Sequence, residues 1–178
     1  MWEFDPNQGN YILELSSSYR ETKTKTEVTP FFRHVSRHLS DRPKVVPVAW
    51  NVAGIRVLRQ TTFRKATIDL VADLGATTQQ VNVDYHWLGN ADVVVRRPVA
   101  PRAELFAHGT GRLATVTDPP ALPGRQTQAG GVVEGGVRLV GEAAVGELFA
   151  GFERRFDAYP LGFAAEQWFM VGFRVVRR

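Results

Sequence analysis

Hydrophobic and polar residues alternate along many short stretches of this chain. Residues 80–87 have the clearest pattern, because Val81, Val83 and Tyr85 fall on one side of an extended strand and Asn82 falls on the other. Comparable stretches, rich in β-branched and aromatic residues and bounded by turn-forming residues, are 11–15, 44–50, 54–59, 66–73, 92–96, 103–108, 112–117, 132–140 and 166–176. The pattern predicts a mainly β fold.

Most connections between the predicted strands are short and carry turn-forming residues. Residues 88–91, Leu-Gly-Asn-Ala, and residues 109–111, Gly-Thr-Gly, are predicted to be turns. Short connections favour antiparallel neighbours, and helices do not alternate with strands as they do in doubly wound folds. We therefore predict an antiparallel barrel or sandwich of jelly-roll type with one or two short helices.

The first predicted helix covers residues 29–39. It begins with a threonine suited to the N-cap and a proline suited to the first turn. Phe31, Val35 and Leu39 follow at four-residue spacing and would form one apolar stripe.

The second predicted helix covers residues 142–157. Its apolar residues, beginning at Val145, recur at the spacing of an amphipathic helix. Gly146 and Gly151 weaken a helix, so strands broken at these two glycines are the alternative.

The chain has 178 residues, a length that suits a single β-rich domain over residues 1–178. Residues 118–131 are rich in proline and glycine. We predict that they form an exposed loop carrying Pro119, Pro120 and Pro123.

Residues 1–10 are predicted to form an extended N-terminal arm. The segment is polar apart from a few residues that include Trp2 and Phe4, and two large aromatic side chains favour an arm held against its own core or a neighbour. The arm lacks the basic start and apolar stretch of a signal peptide. Because an outer-membrane barrel needs a signal sequence for export, that class is not expected. No apolar run approaches the roughly 20 residues of a membrane-spanning helix.

Composition excludes several kinds of chemistry. The absence of cysteine removes structural disulfides, thiolate metal sites and cysteine nucleophiles. The formal net charge of +4 and the isoelectric point of about 9.8 favour acidic partners such as nucleic acid or an anionic membrane surface, although +4 is also ordinary for a soluble domain of this size. The two methionines and ten prolines would suit a heat-tolerant protein.

Two arginines and two histidines lie close together on the first predicted helix: Arg33, His34, Arg37 and His38. Two histidines four residues apart can face one metal ion, but a third ligand is missing and the flanking arginines would repel a cation. Arginine and histidine together suit phosphate or carboxylate. The four residues are a candidate anion site, with a solvated basic face as the alternative.

Asp84 and His86 lie two apart on one face of a predicted strand, and a carboxylate in this position can orient an imidazole for general-base catalysis. No serine nucleophile is assigned to the pair by spacing. A polar strand face turned to solvent is the competing interpretation.

Residues 103–116, Ala-Glu-Leu-Phe-Ala-His-Gly-Thr-Gly-Arg-Leu-Ala-Thr-Val, resemble the late strands of a hotdog-fold acyl thioesterase. The resemblance implies a long central helix before these strands, with a catalytic carboxylate or amide near it. The region before residue 103 is predicted to be strand, so no catalytic residue carries over. An acyl-CoA thioesterase and a small-molecule-binding β-barrel are kept as alternative functions.

In size, short strands, lack of cysteine and extended terminal segments, the chain also resembles the small single-barrel coat proteins of icosahedral, membrane-containing phages of hot environments. This resemblance implies a capsid building block without an active site, located in the virion; otherwise the chain is expected in the cytoplasm.

We therefore expect a structural, self-assembling protein, most simply a viral coat component, that is not an enzyme and has neither cofactor, metal nor specific small-molecule substrate. Its partners would be further copies, a second coat protein, and an anionic membrane or nucleic acid. The predicted assembly contacts are Trp2, Phe4, Tyr11, Pro119, Pro120 and Pro123.

Overall fold

The computed structural model describes residues 8–39, 48–117, 127–155 and 165–177. Its strands are β1 (Gln8–Ser16), β2 (Tyr19–Glu21), β3 (Thr26–Leu39), β4 (Val48–Phe63), β5 (Ala66–Val81), β6 (Tyr85–Ala100), β7 (Ala103–Val116), β8 (Thr127–Val140), β9 (Ala144–Arg155) and β10 (Glu166–Arg177). Together they form one sheet that contains nearly all of the described residues, so the predicted mainly β fold is confirmed.

The strands follow one another across the sheet in chain order. The path is β1-β3-β4-β5-β6-β7-β8-β9-β10, and the short β2 pairs with β3. Every neighbouring pair is antiparallel, as predicted. A jelly roll needs long connections that carry the chain across the sheet, whereas these neighbours are joined in sequence order. The described strands therefore form an open meander, which is consistent with the predicted barrel or sandwich but does not have the strand order of a jelly roll.

Both predicted helices are wrong, because residues 29–39 lie in β3 and most of residues 142–157 lie in β9. In β3 the apolar spacing also fits a strand, because residues an even number apart lie on the same face of a strand. Phe31 and Val35 are four residues apart and are both buried. In β9 the glycines sit in a regular ladder, so the alternative based on strands was the better one. The described part of the chain contains no helix long and apolar enough to cross a membrane.

The strands are longer than predicted because two expected turns do not form. Residues 88–91 lie inside β6 and residues 109–111 lie inside β7. Conversely, the chain turns between β5 and β6 at residues 82–84, within the stretch whose alternation was clearest. Residues 127–131 of the predicted loop belong to β8. Glycine therefore occupies strand positions in this sheet where the local sequence suggested turns.

Four short connections lie at the same end of the sheet, which we call the tight-turn end. They follow β2, β4, β6 and β8, and the connection between β4 and β5 is only Arg64 and Lys65. Both residues have positive φ, 45° and 68°, as a two-residue turn matched to the twist of a hairpin requires. These turns fix the register of the long strands.

The sheet curls, so that one face is concave. Buried side chains from β3, β4, β6 and β7 meet in one apolar cluster, in which the rings of Trp50 and Tyr85 are 5.2 Å apart and nearly perpendicular. β3 and β7 are separated by three strands, which would be about 19 Å in a flat sheet. Their contact within one cluster therefore requires curvature.

Two glycines face each other on β4 and β5. Gly54 of β4 is opposite Gly75 of β5, and a Cβ on Gly54 would lie 2.6 Å from the Leu74 carbonyl oxygen and 2.6 Å from the end of the Phe31 ring. The absence of a side chain at Gly54 leaves room for the Phe31 ring, which is 5% exposed.

Replacing Gly54 by alanine is expected to lower the free energy of unfolding by about 1–3 kcal/mol, because the added methyl overlaps backbone that cannot move aside. Urea unfolding measures the change. Gly146→Ala is the matched control, since a Cβ there meets nothing within 4 Å. Equal stability of the two variants would contradict this account of the packing under Phe31.

Candidate functional site

Charged side chains gather on the concave face of the sheet in three groups. Alternation within each strand and the register between strands bring them together, because directly paired residues share a face. Arg56 and Asp73 are such a pair, and so are His108 and Glu134. We call these groups the Glu14 network, the Glu134 network and the Asp69 pair.

The Glu14 network joins β1, β3, β4 and β5. The Glu14 carboxylate accepts hydrogen bonds from Arg33 Nε at 2.8 Å and from both terminal nitrogens of Arg56 at 3.0 and 2.9 Å. Asp73 lies 3.9 Å from each guanidinium and accepts a hydrogen bond from Asn90 at 2.8 Å. Two cations and two anions thus balance on one surface.

The Glu134 network joins β6 to β10. Glu134, only 6% exposed, accepts a hydrogen bond from Arg174 and lies 3.1 Å from His108 Nδ1. The other His108 nitrogen is 3.0 Å from Asp92. Arg174 also contacts Glu147, so one guanidinium bridges two nearly buried carboxylates.

The same network extends toward the tight-turn end. Arg138 lies 3.1 Å from Glu147 and 3.5 Å from Glu104. The Arg174 guanidinium also lies over the rings of Phe149 and Phe106, at 4.8 and 5.6 Å from their centres. Stacking of this kind holds the cation in place on the concave face.

The Asp69 pair lies on β5 and β6, where Asp69 contacts Arg96 and accepts a hydrogen bond from Gln60 at 2.8 Å. No group of three or more histidine or acidic side chains within the described ranges is arranged to hold a metal ion.

A pocket of about 570 Å³ opens on the concave face. One part of its wall is aromatic, with Phe31, Trp50 and Tyr85, and another part is charged, with Glu14 and Arg112 among its residues. The pocket is therefore amphipathic.

The opposite face of the sheet, which we call the outer face, is apolar and exposed. On β10 the outward residues Phe169, Val171, Phe173 and Val175 are 85%, 87%, 78% and 70% exposed, whereas Arg174 between them points to the concave face. The same holds across the sheet; other large apolar residues exposed on this face are Tyr11, Leu13, Leu15, Phe32, Ile55, Leu74, Leu105, Val133, Val137, Leu139 and Leu148.

The four residues of the candidate anion site do not share one face. In β3, Arg33 points to the concave face, and His34 points outward, where its Nδ1 is 2.7 Å from Asn51 Oδ1. The backbones of Arg37 and His38 pair with Val48 and Gly9. A helical stripe no longer supports the site, because a strand separates odd from even positions; binding of an anion there stays a prediction.

Among the predicted assembly contacts, Tyr11 lies on the outer face and is 65% exposed. The others, Trp2, Phe4, Pro119, Pro120 and Pro123, lie outside the described residues.

Asp84 and His86 are near each other at the end of the sheet opposite the tight turns. His86 Nε2 is 3.5 Å from Asp84 Oδ1, and the Asp84 carboxylate accepts a hydrogen bond from the Thr117 amide at 3.0 Å. Both side chains are about half exposed. Asp84 therefore ties together the ends of β6 and β7.

The sequence did not single out Glu14, Glu134 or Glu147, and it did not place Arg174 in an ion network. The available signal was a single charge inside an apolar strand, as Arg174 is in Gly-Phe-Arg-Val. Such a charge must face a polar environment even when its neighbours face an apolar one.

Comparison with protein-family models, curated proteins and solved structures finds no match for the chain.

The Glu134 network should be essential for stability. Glu134→Gln is expected to lower the free energy of unfolding by about 1–3 kcal/mol, because it removes the charge of a nearly buried carboxylate, while its partner Arg174 is 38% exposed and keeps Glu147. Glu142→Gln is the control with the same chemical change, since Glu142 is 91% exposed, and its effect should stay within about 0.5 kcal/mol. Chemical unfolding of both variants measures the difference, and equal losses would contradict the role assigned to Glu134.

Proposed function

We propose that this chain is a membrane-embedded β-sheet of the transmembrane-barrel type. Its outer face contacts the acyl chains of lipids, and its concave face lines an interior that holds the charged networks beside the apolar cluster around Trp50 and Tyr85. The observation that carries the proposal is the distribution of charge between the two faces, which is the reverse of that in a water-soluble β-protein.

The outer face has an uncharged band on every long strand of the path. Its members on the last three strands are Ala129, Gly131, Val133, Gly135, Val137 and Leu139 of β8, Gly146, Leu148, Ala150 and Phe152 of β9, and Phe169, Val171, Phe173 and Val175 of β10. Exposed apolar surface of this extent marks a site of contact with protein or membrane.

On β4, polar side chains limit the band at both ends. On the outer face of β4, Asn51 precedes the apolar positions Ala53, Ile55 and Val57, and Arg59 follows them. A polar residue at each limit is the pattern expected where a strand enters and leaves the hydrocarbon region. The strands are long enough, because about 9–11 tilted residues span a bilayer and β4 has 16.

The concave face supports the same proposal. Glu134 and Glu147 are 6% and 9% exposed, while Phe169 is 85% exposed. Burying a phenylalanine side chain is worth about 1.5–3 kcal/mol. In water, many apolar side chains of the outer face would stay exposed and would not gain this free energy. Contact with lipid acyl chains would provide it.

An outer-membrane barrel was not expected from the sequence, because residues 1–10 do not resemble a signal peptide. The present proposal rests instead on where the side chains of the described strands point, and it makes no use of how the chain is targeted.

Alternate residues of β10 should therefore differ in their contact with lipid. The chain has no cysteine, so single cysteines at Val171, Val175, Met170 and Val176 can be labelled with an environment-sensitive fluorophore. After reconstitution into vesicles, labels at 171 and 175 should emit at shorter wavelength and be quenched several-fold more by brominated acyl chains.

Labels at Met170 and Val176 are the matched controls, because these residues are neighbours on the same strand but face the concave side. Equal quenching at odd and even positions would contradict the proposal. So would failure of the chain to bind vesicles at all.

A charge placed in the middle of the band should be far more harmful than one beyond it. Ile55→Arg is expected to destabilise the membrane-bound fold by about 2–4 kcal/mol, and Thr61→Arg, on the same face of the same strand but past Arg59, by about 0–1 kcal/mol. Reversible unfolding from vesicles measures both. Similar values for the two variants would argue against lipid contact at Ile55.

The self-assembling coat component predicted from the sequence is the second proposed function. The exposed apolar face favours it as well, because contact with other copies would also cover that face. The two proposals predict different behaviour in buffer. A coat component would assemble into large particles without lipid or detergent, whereas a membrane-embedded sheet would need lipid or detergent to stay dispersed. An acyl thioesterase or a ligand-binding barrel stays a prediction, and the thioesterase family's central helix has no counterpart among the described residues.

A further inference from the structure

Among the residues that the structure describes, many basic side chains lie at the tight-turn end of the sheet. The short connections there carry Lys23, Lys25, Arg64, Lys65 and Arg102, all exposed. On the outer face, the strand positions near this end include Arg59, Arg97 and Arg177, with Phe63 beyond Arg59 and Val99 beyond Arg97. Acidic residues at the same end are fewer: Glu21, Glu27, Glu104 and Glu142.

Three of these basic residues occupy backbone positions that suit glycine better. Lys25, Arg64 and Lys65 have φ values of 50°, 45° and 68°, in the left-handed region that side chains with a Cβ disfavour. Asparagine followed by glycine is the usual choice for a two-residue turn such as 64–65. The basic side chains are therefore present at these positions although the backbone conformation is unfavourable for them.

The three outward arginines adjoin the apolar band. On β10, Arg177 follows Phe173 and Val175 on the same face, and on β6, Arg97 follows Val93 and Val95. Within the described ranges, none of Arg59, Arg97 and Arg177 has a carboxylate partner within 4.0 Å. A guanidinium at the border of an apolar band lies where lipid headgroups begin.

We propose that the tight-turn end is a binding surface for the headgroups of anionic lipids and so faces the more anionic leaflet. The inference rests on the proposed membrane location. Basic residues near a membrane surface are attracted by its negative potential, and arginine can form paired hydrogen bonds with phosphate. The turn residues supply long-range attraction, and Arg59, Arg97 and Arg177 contact phosphate directly.

The test uses the full chain in vesicles of phosphatidylcholine with headgroup-spin-labelled phosphatidylglycerol. A fluorophore on Thr61→Cys reports the tight-turn end, and one on Gln167→Cys reports the opposite end of the outer face. Quenching by the anionic lipid, relative to labelled phosphatidylcholine, should be stronger at residue 61 by roughly threefold or more, and salt should reduce this preference.

Replacing Arg64 by asparagine and Lys65 by glycine separates binding from folding. This double variant removes two charges and relieves two positive-φ residues, so it should be at least as stable as the parent chain but should lose part of its preference for anionic lipid. Lys65→Arg is the control that keeps the charge. Arg59→Gln with Arg177→Gln should remove most of the remaining preference.

An unchanged preference in all of these variants would overturn the inference, and so would equal quenching at residues 61 and 167. If short duplex DNA bound the chain in detergent and the vesicles gave no lipid preference, the basic end would be a nucleic-acid surface instead. Alternating quenching along β10 in neutral vesicles would still support the membrane location, so the two proposals can fail separately.

Discussion

A β-strand turns successive side chains to opposite faces, and in this sheet that two-residue period separates two chemical environments. Because each strand pairs with its neighbour over ten or more residues in most cases, a shift of one residue anywhere would exchange the faces. Arg174 would then join the apolar face, and Phe173 would enter the network around Glu134. The charged networks and the apolar cluster on the concave face thus specify the register together.

The ion networks are strong only as complete sets. Each central carboxylate has more than one cationic partner or neighbour: the half-buried Glu14 has two arginines, and the nearly buried Glu134 has an arginine and a histidine. Removing one member leaves the others desolvated and unbalanced, which costs more than the pair itself contributes. Since the partners come from different strands, the networks connect strands that are not neighbours in the sheet and share no backbone hydrogen bonds. Arg174, for example, connects β10 directly to β8.

The sequence predicted the mainly β, antiparallel character because alternation is a local property of each strand. It failed at the helices because Phe31 and Val35, four residues apart, satisfy a helical stripe and one face of a strand equally well. It also placed turns at the glycines of β6 and β7, where glycine instead contributes to a strand. Arg56, Asp73 and Asn90 are far apart along the chain, and only the register between strands brings them to one surface. The reversed polarity of the two faces was present in the sequence, but it becomes visible only when the interior side of the sheet is known.

The direction of the strands limits how the sheet can close. Direction alternates at each step along the path, so β1, β4, β6, β8 and β10 run one way and β3, β5, β7 and β9 run the other. The two edges, β1 and β10, are therefore parallel to each other. Direct pairing between them would make the one parallel seam among the described strands. A closed wall in which every seam is antiparallel needs an odd number of additional strands between β10 and β1, because only then does the alternation return to its starting direction.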